Sequence, residues 1–294
     1  MLSPFASIGG EKMKSTKRKW FGILYTLALT GFTVWLALDT FVISHVYGEA
    51  QAAPEIWQST AEETTVDLIT YRVQDTTVYV ADVQLADPDA MAAVLAQDAY
   101  GRNVTETPSS MAERTGALLA VNGDYYGARE KGYVIRNGVL YRSRAASGQE
   151  DLVIDANGDF SIINESDVTA QELLDAGAVQ VYSFGPGLLS DGEILVDEND
   201  EVGRAMASNP RTALAQVGPL HYLFVVADGR TAESDGLSLY ELAQFLKTLG
   251  ATTAYNLDGG GSSAMIYQGQ LVNHPTSTGR RSSERSVSDI VAIY

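Results

Sequence analysis

Residues 238–263 read SLYELAQFLKTLGATTAYNLDGGGSS, and this stretch decides the fold because a helix, a buried strand and a glycine turn follow one another. Leucine and alanine recur at helical spacing over residues 239–249, which predicts a helix. Ser238 and Glu241 predict a capping box at the start of this helix, and Gly250 predicts its end.

The glycine turn that follows is the part of this stretch that could take part in a reaction. Residues 252–257 predict a buried strand that delivers the carboxylate of Asp258, and the sequence GGGSS follows at 259–263. Glycine allows a sharp turn, and successive backbone N–H groups in such a turn can hold an anion. A carboxylate beside an anion site would suit cleavage next to a phosphate. The competing interpretation is a flexible hairpin loop.

Strand patterns dominate the chain on both sides of this stretch. Hairpins are predicted for 66–73 with 77–85, 132–135 with 139–141, 151–155 with 160–163, 212–217 with 222–227, and 264–267 with 270–272. Single strands are predicted at 116–121 and 289–294, and further helices at 88–97 and 169–176. This pattern predicts a single α+β domain with a largely mixed β-sheet and three or four helices, preceded by one N-terminal transmembrane helix.

The N-terminal segment has the composition of a membrane anchor. Residues 20–38 carry no charge, and with the apolar residues through Val46 they are long enough to cross a bilayer. Basic residues directly precede this run, so the positive-inside bias places the N-terminus in the cytoplasm. The predicted organisation is a cytoplasmic basic tail (1–19), a transmembrane signal-anchor (20–46), a linker (47–60) and an extracytoplasmic domain (61–294). A cleaved signal peptide is the alternative, because residues 50–52 read AQA.

Composition excludes several kinds of chemistry. The formal net charge is -17, and a surface so acidic repels nucleic acid, so we expect no nucleic-acid partner and a local pocket for any phosphodiester. Cysteine is absent, which excludes thiol nucleophiles and disulfides, and the three histidines make a transition-metal site improbable. We therefore expect no cofactor and no metal, with calcium at Asp124 or Asp258 as the alternative left open.

Further segments extend the pattern along the second half of the chain. They read AVNGDYY (120–126), SFGPGLL (183–189), NPRTA (209–213), VADGR (226–230) and GLSLYE (236–241), with Asn273 and Glu284-Arg285 near the end. In this order, and with the glycine turn, they resemble the phosphodiester glycosidase family over about residues 117–294. That family includes the enzyme that uncovers mannose 6-phosphate by removing N-acetylglucosamine, and its bacterial members are often labelled exopolysaccharide-related.

The resemblance implies a hydrolase that acts on a sugar-1-phosphate diester in a glycan or a cell-envelope polymer. It implies Asp258 as the first candidate for the catalytic carboxylate, Asp124 as the second and Glu241 as the third. Each has a structural alternative, namely a turn cap, a turn aspartate and the capping box. The candidates for binding substrate or phosphate are Asn122, Arg211, Asp228, Arg230, Asn256, Gly259, Gly260, Gly261, Ser262, Ser263, Asn273 and Arg285.

The candidate roles follow from side-chain chemistry. A guanidinium fork matches phosphate oxygens, and Arg211 is the first choice among the arginines. Asp228 is expected to orient an arginine, and the asparagines to bond sugar hydroxyls. Two other functions stay open. One is a polysaccharide-binding module without turnover, and the other is a serine hydrolase that uses His274 with Ser262 or Ser263, although the chain has no G-x-S-x-G sequence.

Overall fold

The computed structural model describes residues 9–49, 64–200 and 208–294, and the chain divides into two units, Met1–Ser44 and His45–Tyr294. Residues 1–8 of the predicted tail and 50–60 of the predicted linker lie outside the described residues. In the first unit α1 (Gly9–Phe41) is one helix. Its part Trp20–Phe41 is long and apolar enough to cross a membrane, with a mean hydropathy of 1.8. The predicted apolar helix is confirmed, and its role as an anchor stays a prediction.

The residues after this helix differ from the prediction. The helix ends at Phe41, and β1 (His45–Glu49) pairs antiparallel with β5 (Ala99–Arg102) inside the second unit. Residues 42–46 therefore do not continue the helix, and residues 47–49 belong to a strand rather than to a linker. Apolar composition alone does not distinguish the end of a helix from a short strand, which is why the predicted span ran too far.

The other strands of the second unit form three larger sheets. They are β2 (Thr65–Val73), β3 (Thr76–Gln84), β4 (Met91–Leu95), β6 (Leu119–Asn122), β7 (Val134–Arg136), β8 (Val139–Arg142), β9 (Glu150–Asp155), β10 (Phe160–Asn164), β11 (Ala178–Tyr182), β12 (Gly187–Ser190), β13 (Glu193–Ile194), β14 (Arg211–Gly218), β15 (His221–Ala227), β16 (Thr253–Asn256), β17 (Met265–Tyr267), β18 (Gln270–Leu271) and β19 (Asp289–Ile293).

The order of these strands separates the sheets clearly. A seven-stranded sheet has the order β13-β12-β16-β14-β15-β3-β2, and two five-stranded sheets have the orders β10-β9-β11-β7-β8 and β18-β17-β6-β19-β4. The pairs between the described strands run antiparallel. The α+β class is confirmed, and the strands that were expected in one largely mixed sheet are divided among several antiparallel ones.

Within residues 64–200 and 208–294, the second unit also has three short α-helices: α2 (Pro108–Thr115), α3 (Ala170–Asp175) and α4 (Leu239–Thr248). The helices α3 and α4 confirm the predictions, and each begins with a capping box, formed by Thr169 with Glu172 and by Ser238 with Glu241. The helix α2 was not predicted from the sequence. There the side chain of Thr107 accepts a hydrogen bond from the N–H of Ser110.

The helix predicted at 88–97 is wrong. Pro88–Ala90 forms one 3₁₀ turn, residues 91–95 continue as the strand β4, and Ala96–Asp98 forms a second 3₁₀ turn. Every residue of β4 is buried, so this strand shows no alternation of apolar and polar residues. Its sequence, MAAVL, contains good helix formers, and burial together with pairing to β19 overrode that local preference.

Apolar side chains cover both faces of the seven-stranded sheet. On β15, Phe224 and Val226 pack in a cluster with Leu119 and Val291 of the neighbouring five-stranded sheet. The alternate residues of β15 pack instead against α4. Because the sheet is buried on both sides, polar side chains reach open space mainly where its strands end.

One buried arginine connects the two five-stranded sheets. Arg136, at the end of β7, is 1% exposed, and its Nη2 lies 2.8 Å from Oδ2 of Asp124. Its Nε donates a 2.8 Å hydrogen bond to Oδ2 of Asp289, the first residue of β19. Burial raises the pKa of Asp289 to about 7, while Arg136 opposes the rise and Asp124 adds to it. A buried charge persists only when it is paired, so Arg136 holds both acids in place.

A second buried acidic pair lies next to this triad. Glu165 accepts hydrogen bonds from the N–H of Tyr133 and from Oγ of Ser183, at 2.8 and 3.0 Å. Ser183 in turn donates its N–H to Asp124 at 2.9 Å. Asp151 is fully buried beside Glu165, and burial, reinforced by the charge of Glu165, raises the pKa of Asp151 to about 9. Burial and the charge of Glu165 therefore favour the neutral form of Asp151 at pH 7.

Replacing Arg136 by glutamine should destabilise the protein strongly, because two buried carboxylates lose their countercharge. We expect the free energy of unfolding to fall by about 3–5 kcal/mol. Denaturant titration of the full-length chain in detergent measures it. The matched control is Lys247→Gln, which removes an exposed contact to Glu193 and should cost about 0–1 kcal/mol. Similar losses in the two variants would contradict the role assigned to Arg136.

The Asp151→Asn variant should become more stable than the natural protein as the pH rises. The folded state keeps the Asp151 proton up to pH about 9, whereas an unfolded aspartate releases it near pH about 4. The stability that this group contributes is therefore complete below pH about 4 and is lost as the pH rises to about 9. Asparagine resembles the protonated acid and does not titrate. The difference between variant and natural protein should grow by up to about 1.4 kcal/mol per pH unit, in denaturant titrations at pH 5 to 8. A constant difference would contradict the assignment.

Candidate active site

Asp258 lies where β16 ends, at the place where two sheets meet. Its backbone is held from both sides: Leu257 donates its N–H to the carbonyl of Thr212 at 2.9 Å, and Nδ2 of Asn122 donates to the carbonyl of Asp258 at 2.7 Å. The N–H of Asp258 donates to the carbonyl of Gly123. Asn122 ends β6, so these bonds join the seven-stranded sheet to its neighbour and fix the position of the Asp258 carboxylate.

The electrostatic environment of Asp258 is balanced between opposing effects. Burial raises the pKa of Asp258 above its ordinary value. A hydrogen bond from Ser262, the charge of Arg285, the N–H of Gly259 at 2.9 Å and the charge of Arg129 oppose this rise. Such a carboxylate can accept a proton or attack an electrophile, because it is more basic than usual and its anion is still stabilised.

Two arginines approach the glycine turn and share one serine. Arg285 donates to Oγ of Ser262 at 3.4 Å and to Oγ of Ser277 at 3.1 Å. Arg230 donates to the carbonyl of Ser277 at 3.0 Å and to Oδ1 of Asn209. Burial and the like charge of Arg285 lower the pKa of Arg230. An anion bound at these two guanidiniums would relieve their repulsion, so the arrangement favours a phosphate.

The glycines of the turn make room for these arginines. A Cβ atom on Gly260 would lie 2.9 Å from Nη2 of Arg230, and one on Gly261 would lie 2.8 Å from Nη2 of Arg285. Gly260 also has a φ of 61°, in the left-handed region. The flexible-loop interpretation is therefore not needed, because the close approach of two guanidiniums explains the glycine run.

The predicted cradle of backbone N–H groups is wrong for most of the turn. Residues Gly260–Ser262 form a 3₁₀ turn, in which N–H groups point to carbonyls inside the protein. The N–H of Gly260 donates to Pro210, that of Ser262 to Gly259, and that of Ser263 to Gly260. The arginine and serine side chains, rather than the backbone, offer donors to an anion here.

Asp258 faces a cavity of about 270 Å³ that the turn and the segment after β6 surround. Ser262, Arg285, Asp124 and Tyr125 also line this cavity, so the structure brings together residues from three separate predicted segments. Tyr125 is 46% exposed and offers an aromatic face of the kind that packs against a ligand. A sugar ring and an attached phosphate are the chemical groups that this lining fits.

Asp124 lines the cavity, but its carboxylate is engaged by the protein. Oδ1 accepts the N–H of Tyr126 at 2.9 Å, and Oδ2 accepts the N–H of Ser183 at 2.9 Å and faces Arg136. Asp124 is 2% exposed. These contacts favour the structural alternative for Asp124, namely that it shapes the turn that carries Tyr125.

Asp228 and His274 line a different cavity, of about 550 Å³, and Asn273 bonds to Asp228 behind it. Oδ1 of Asp228 accepts from Nδ2 of Asn273 at 3.2 Å and from the N–H of His274 at 3.0 Å. The expectation that Asp228 orients an arginine is wrong, because Arg230 turns to Asn209 instead. Nδ1 of His274 lies 3.4 Å from Asp228 and 3.4 Å from the hydroxyl of Tyr79, so no Ser-His pair of a serine hydrolase is assembled among the described residues.

The remaining candidates serve as supports around the site. The Nε of the buried Arg211 donates to the carbonyl of Leu237 at 2.8 Å, and Glu241 caps α4 by accepting from Ser238. Nδ2 of Asn256 donates to the carbonyl of Gly185 at 2.8 Å. Arg211 and Glu241 are not among the residues that line the Asp258 cavity. Their bonds fix the strand start and the helix start next to the turn.

Two further charged residues, Arg129 and Asp289, contribute to the site and were not predicted from the sequence. Arg129 donates to the carbonyl of Ser183 at 3.2 Å, lies over the ring of Phe184, and acts on Asp258 by its charge. No periodic pattern marks Arg129 in the sequence. Asp289 carried a usable signal, since an acid at the first position of an otherwise apolar final strand needs a buried partner.

Sequence comparison places the second half of the chain among known proteins. A family model described as phosphodiester glycosidase matches residues 115–294. The chain is 29% identical over 201 residues to the SPbeta prophage-derived uncharacterized protein YomE of Bacillus subtilis (strain 168), with 66% of this chain and 30% of that protein covered. It is 27% identical over 208 residues to N-acetylglucosamine-1-phosphodiester alpha-N-acetylglucosaminidase of Mus musculus, with 64% and 40% covered. The chain thus spans less than half the length of these relatives.

Comparison with solved structures shows the same fold. The catalytic domain of zebrafish N-acetylglucosamine-1-phosphodiester alpha-N-acetylglucosaminidase, auto-inhibited by its pro-peptide, matches with a TM-score of 0.61 at 20% identity, covering 86% of this chain and 88% of that one. A hypothetical protein from Synechocystis matches with a TM-score of 0.60 at 15% identity, covering 79% and 62%. At these identities the likeness concerns the fold alone.

Proposed function

Because this chain belongs to the phosphodiester glycosidase family, we propose that it is a hydrolase that cleaves the C1–O bond of a sugar-1-phosphate diester. We include in the proposal that the substrate is a glycan or a cell-envelope polymer outside the cytoplasm. Relatives from three mammals are named N-acetylglucosamine-1-phosphodiester alpha-N-acetylglucosaminidases, so a diester of N-acetylglucosamine 1-phosphate is the first substrate to test.

The observation that carries the proposal is that Asp258 and Arg285 line the same cavity, while the charge of Arg129 also acts on Asp258. Cleavage of a glycosidic bond passes through a state with positive charge at C1 and growing negative charge on the departing oxygen. Asp258 supplies a carboxylate for C1, while Arg285 and Arg129 supply positive charge next to it. Preorganised charges of this kind contribute strongly to catalysis in a partly buried site.

Two routes use the same residues. In one, Asp258 accepts a proton from water, the water oxygen bonds to C1, and the phosphate oxygen leaves with the electron pair of the C1–O bond. In the other, Asp258 bonds to C1 first and water then releases the sugar. In both routes the leaving phosphate monoester gains charge, and Arg285 with Arg230 stabilises it.

The extracytoplasmic placement rests on the N-terminal segment. The apolar helix Trp20–Phe41 follows directly after Lys17, Arg18 and Lys19, which favours a cytoplasmic N-terminus. The second unit would then lie outside the cytoplasm. Protease added to intact cells should reach this unit, and complete protection would contradict the placement.

Asp258→Asn should remove most turnover and leave the fold intact. The amide keeps the size of the side chain and loses the negative charge that C1 requires, so we expect a rate loss of about 10²- to 10⁴-fold. The assay follows free reducing sugar released from methyl N-acetylglucosamine 1-phosphate diester by the full-length chain in detergent. The matched control is Asp175→Asn on α3, outside the cavity.

Near-normal turnover of Asp258→Asn with an unchanged Tm would make Asp124 the next candidate for the catalytic carboxylate. Binding of the diester without release of sugar by the natural chain would favour the binding module.

Arg285→Gln should move the acidic limb of the kcat/KM profile to higher pH. Burial raises the pKa of Asp258, and Arg285 holds it down, so removing that charge raises the pKa further. Because the ionised carboxylate is the active form, activity should then be lost at a higher pH as the solution is acidified. Arg285→Lys keeps the charge and should shift the limb less. An acidic limb at the same pH in Arg285→Gln and the natural protein would rule out this coupling.

A further inference from the structure

A second cavity, of about 220 Å³, shares the turn Tyr126–Ala128 with the cavity of Asp258. We propose that it binds an anionic stretch of glycan next to the bond that is cleaved, so that the substrate is a polymer that bears phosphate or carboxylate groups. This inference rests on the proposed function and adds the substrate class to it. The cavity is lined by Arg102, Arg129, Arg142, Arg144, Tyr47 and Tyr100, among others.

The charge of this lining opposes that of the whole chain. Four arginines and one glutamate, Glu130, line the cavity, while the chain as a whole carries 20 basic and 37 acidic residues. Arg102 lies 4.0 Å from Glu130, whose side chain is 73% exposed. No carboxylate among the described residues pairs with Arg144. The cavity is therefore a local cationic site that attracts an anion.

Aromatic rings also line this cavity, and Tyr47 exposes its ring above the buried pair Tyr100 and Tyr126. Tyr47 is 64% exposed, its ring centroid lies 6.1 Å from that of Tyr100, and Tyr100 stacks on Tyr126 at 5.3 Å. Arg142 is held rigidly beside them, because its Nε and Nη1 donate to the carbonyls of Gly132, Tyr126 and Arg129. Preorganised aromatic and cationic groups bind a ligand that carries both ring faces and negative charge, as an acidic sugar chain does.

Arg129 decides between a glycan and a lipid headgroup as the occupant. Arg129 lines this cavity, and its charge also acts on Asp258 in the neighbouring one. A polymer bound across the turn Tyr126–Ala128 would therefore place one linkage at Asp258 and its next charged group among the arginines. A phospholipid headgroup would use the same charges, but it offers no reason for this continuity with Asp258.

The test measures binding separately from turnover. The full-length Asp258→Asn chain in detergent is titrated calorimetrically with soluble phosphomannan, and with unphosphorylated mannan as the neutral polymer. Arg144→Gln and Tyr47→Ala are added to this background, with Lys247→Gln on α4 as the matched control. We expect phosphomannan to bind at least about tenfold more tightly than mannan. Arg144→Gln and Tyr47→Ala should each weaken phosphomannan about tenfold, and Lys247→Gln should leave it unchanged.

Equal affinity for the two polymers, or full affinity in both Arg144→Gln and Tyr47→Ala, would overturn the proposal. Binding of soluble dihexanoyl phosphatidylglycerol without binding of phosphomannan would overturn it in favour of a lipid site. Turnover of the short diester by the natural chain is measured in parallel. Turnover without binding of phosphomannan at the second cavity refutes the binding site alone. Binding there without turnover refutes the proposed hydrolase alone.

Discussion

The contact on which the rest of the site depends is the buried guanidinium of Arg136 between Asp124 and Asp289. Arg136 ends β7 in one five-stranded sheet, and its guanidinium bonds to Asp289 at the start of β19 in the other. Apolar side chains in the same place would pack the core as well or better, since a buried ion triad is rarely the most stabilising choice. The charges instead fix geometry, because the contacts to Arg136 hold the carboxylates of Asp124 and Asp289 in one orientation.

Hydrogen bonds from this contact then fix the loops around the site. Asp124, once fixed, accepts the N–H groups of Tyr126 and Ser183, and the turn Tyr126–Ala128 then separates the two cavities. Asp258 is placed through Asn122, which lies two residues before Asp124 and pairs with Ile290 next to Asp289, and through the strand β16. The candidate chemistry thus lies on short loops, while two sheets and a buried charge cluster hold those loops rigidly.

The elements that the sequence predicted well share one property: local residues determine them. The hairpin at Asn137-Gly138, the capping box of Ser238 with Glu241 and the buried strand before Asp258 need no distant partner to be recognised. The predicted helix at 88–97 failed because a fully buried strand has no period of two to show. The family resemblance pointed to segments far apart in the sequence, and three of their residues, Asp258, Ser262 and Arg285, line one cavity.

The sequence by itself determined the α+β class, the apolar N-terminal helix, the glycine turn and the residue types available for chemistry. Only the tertiary structure decided which charges meet. Arg136 and Asp289 are 153 positions apart and bond at 2.8 Å, while Arg211 and Glu241, which motif matching favoured, bond to neighbouring backbone and to a helix cap. The reason is physical: the attraction between two charges depends on their separation in space and on the burial around them, and a linear pattern encodes neither.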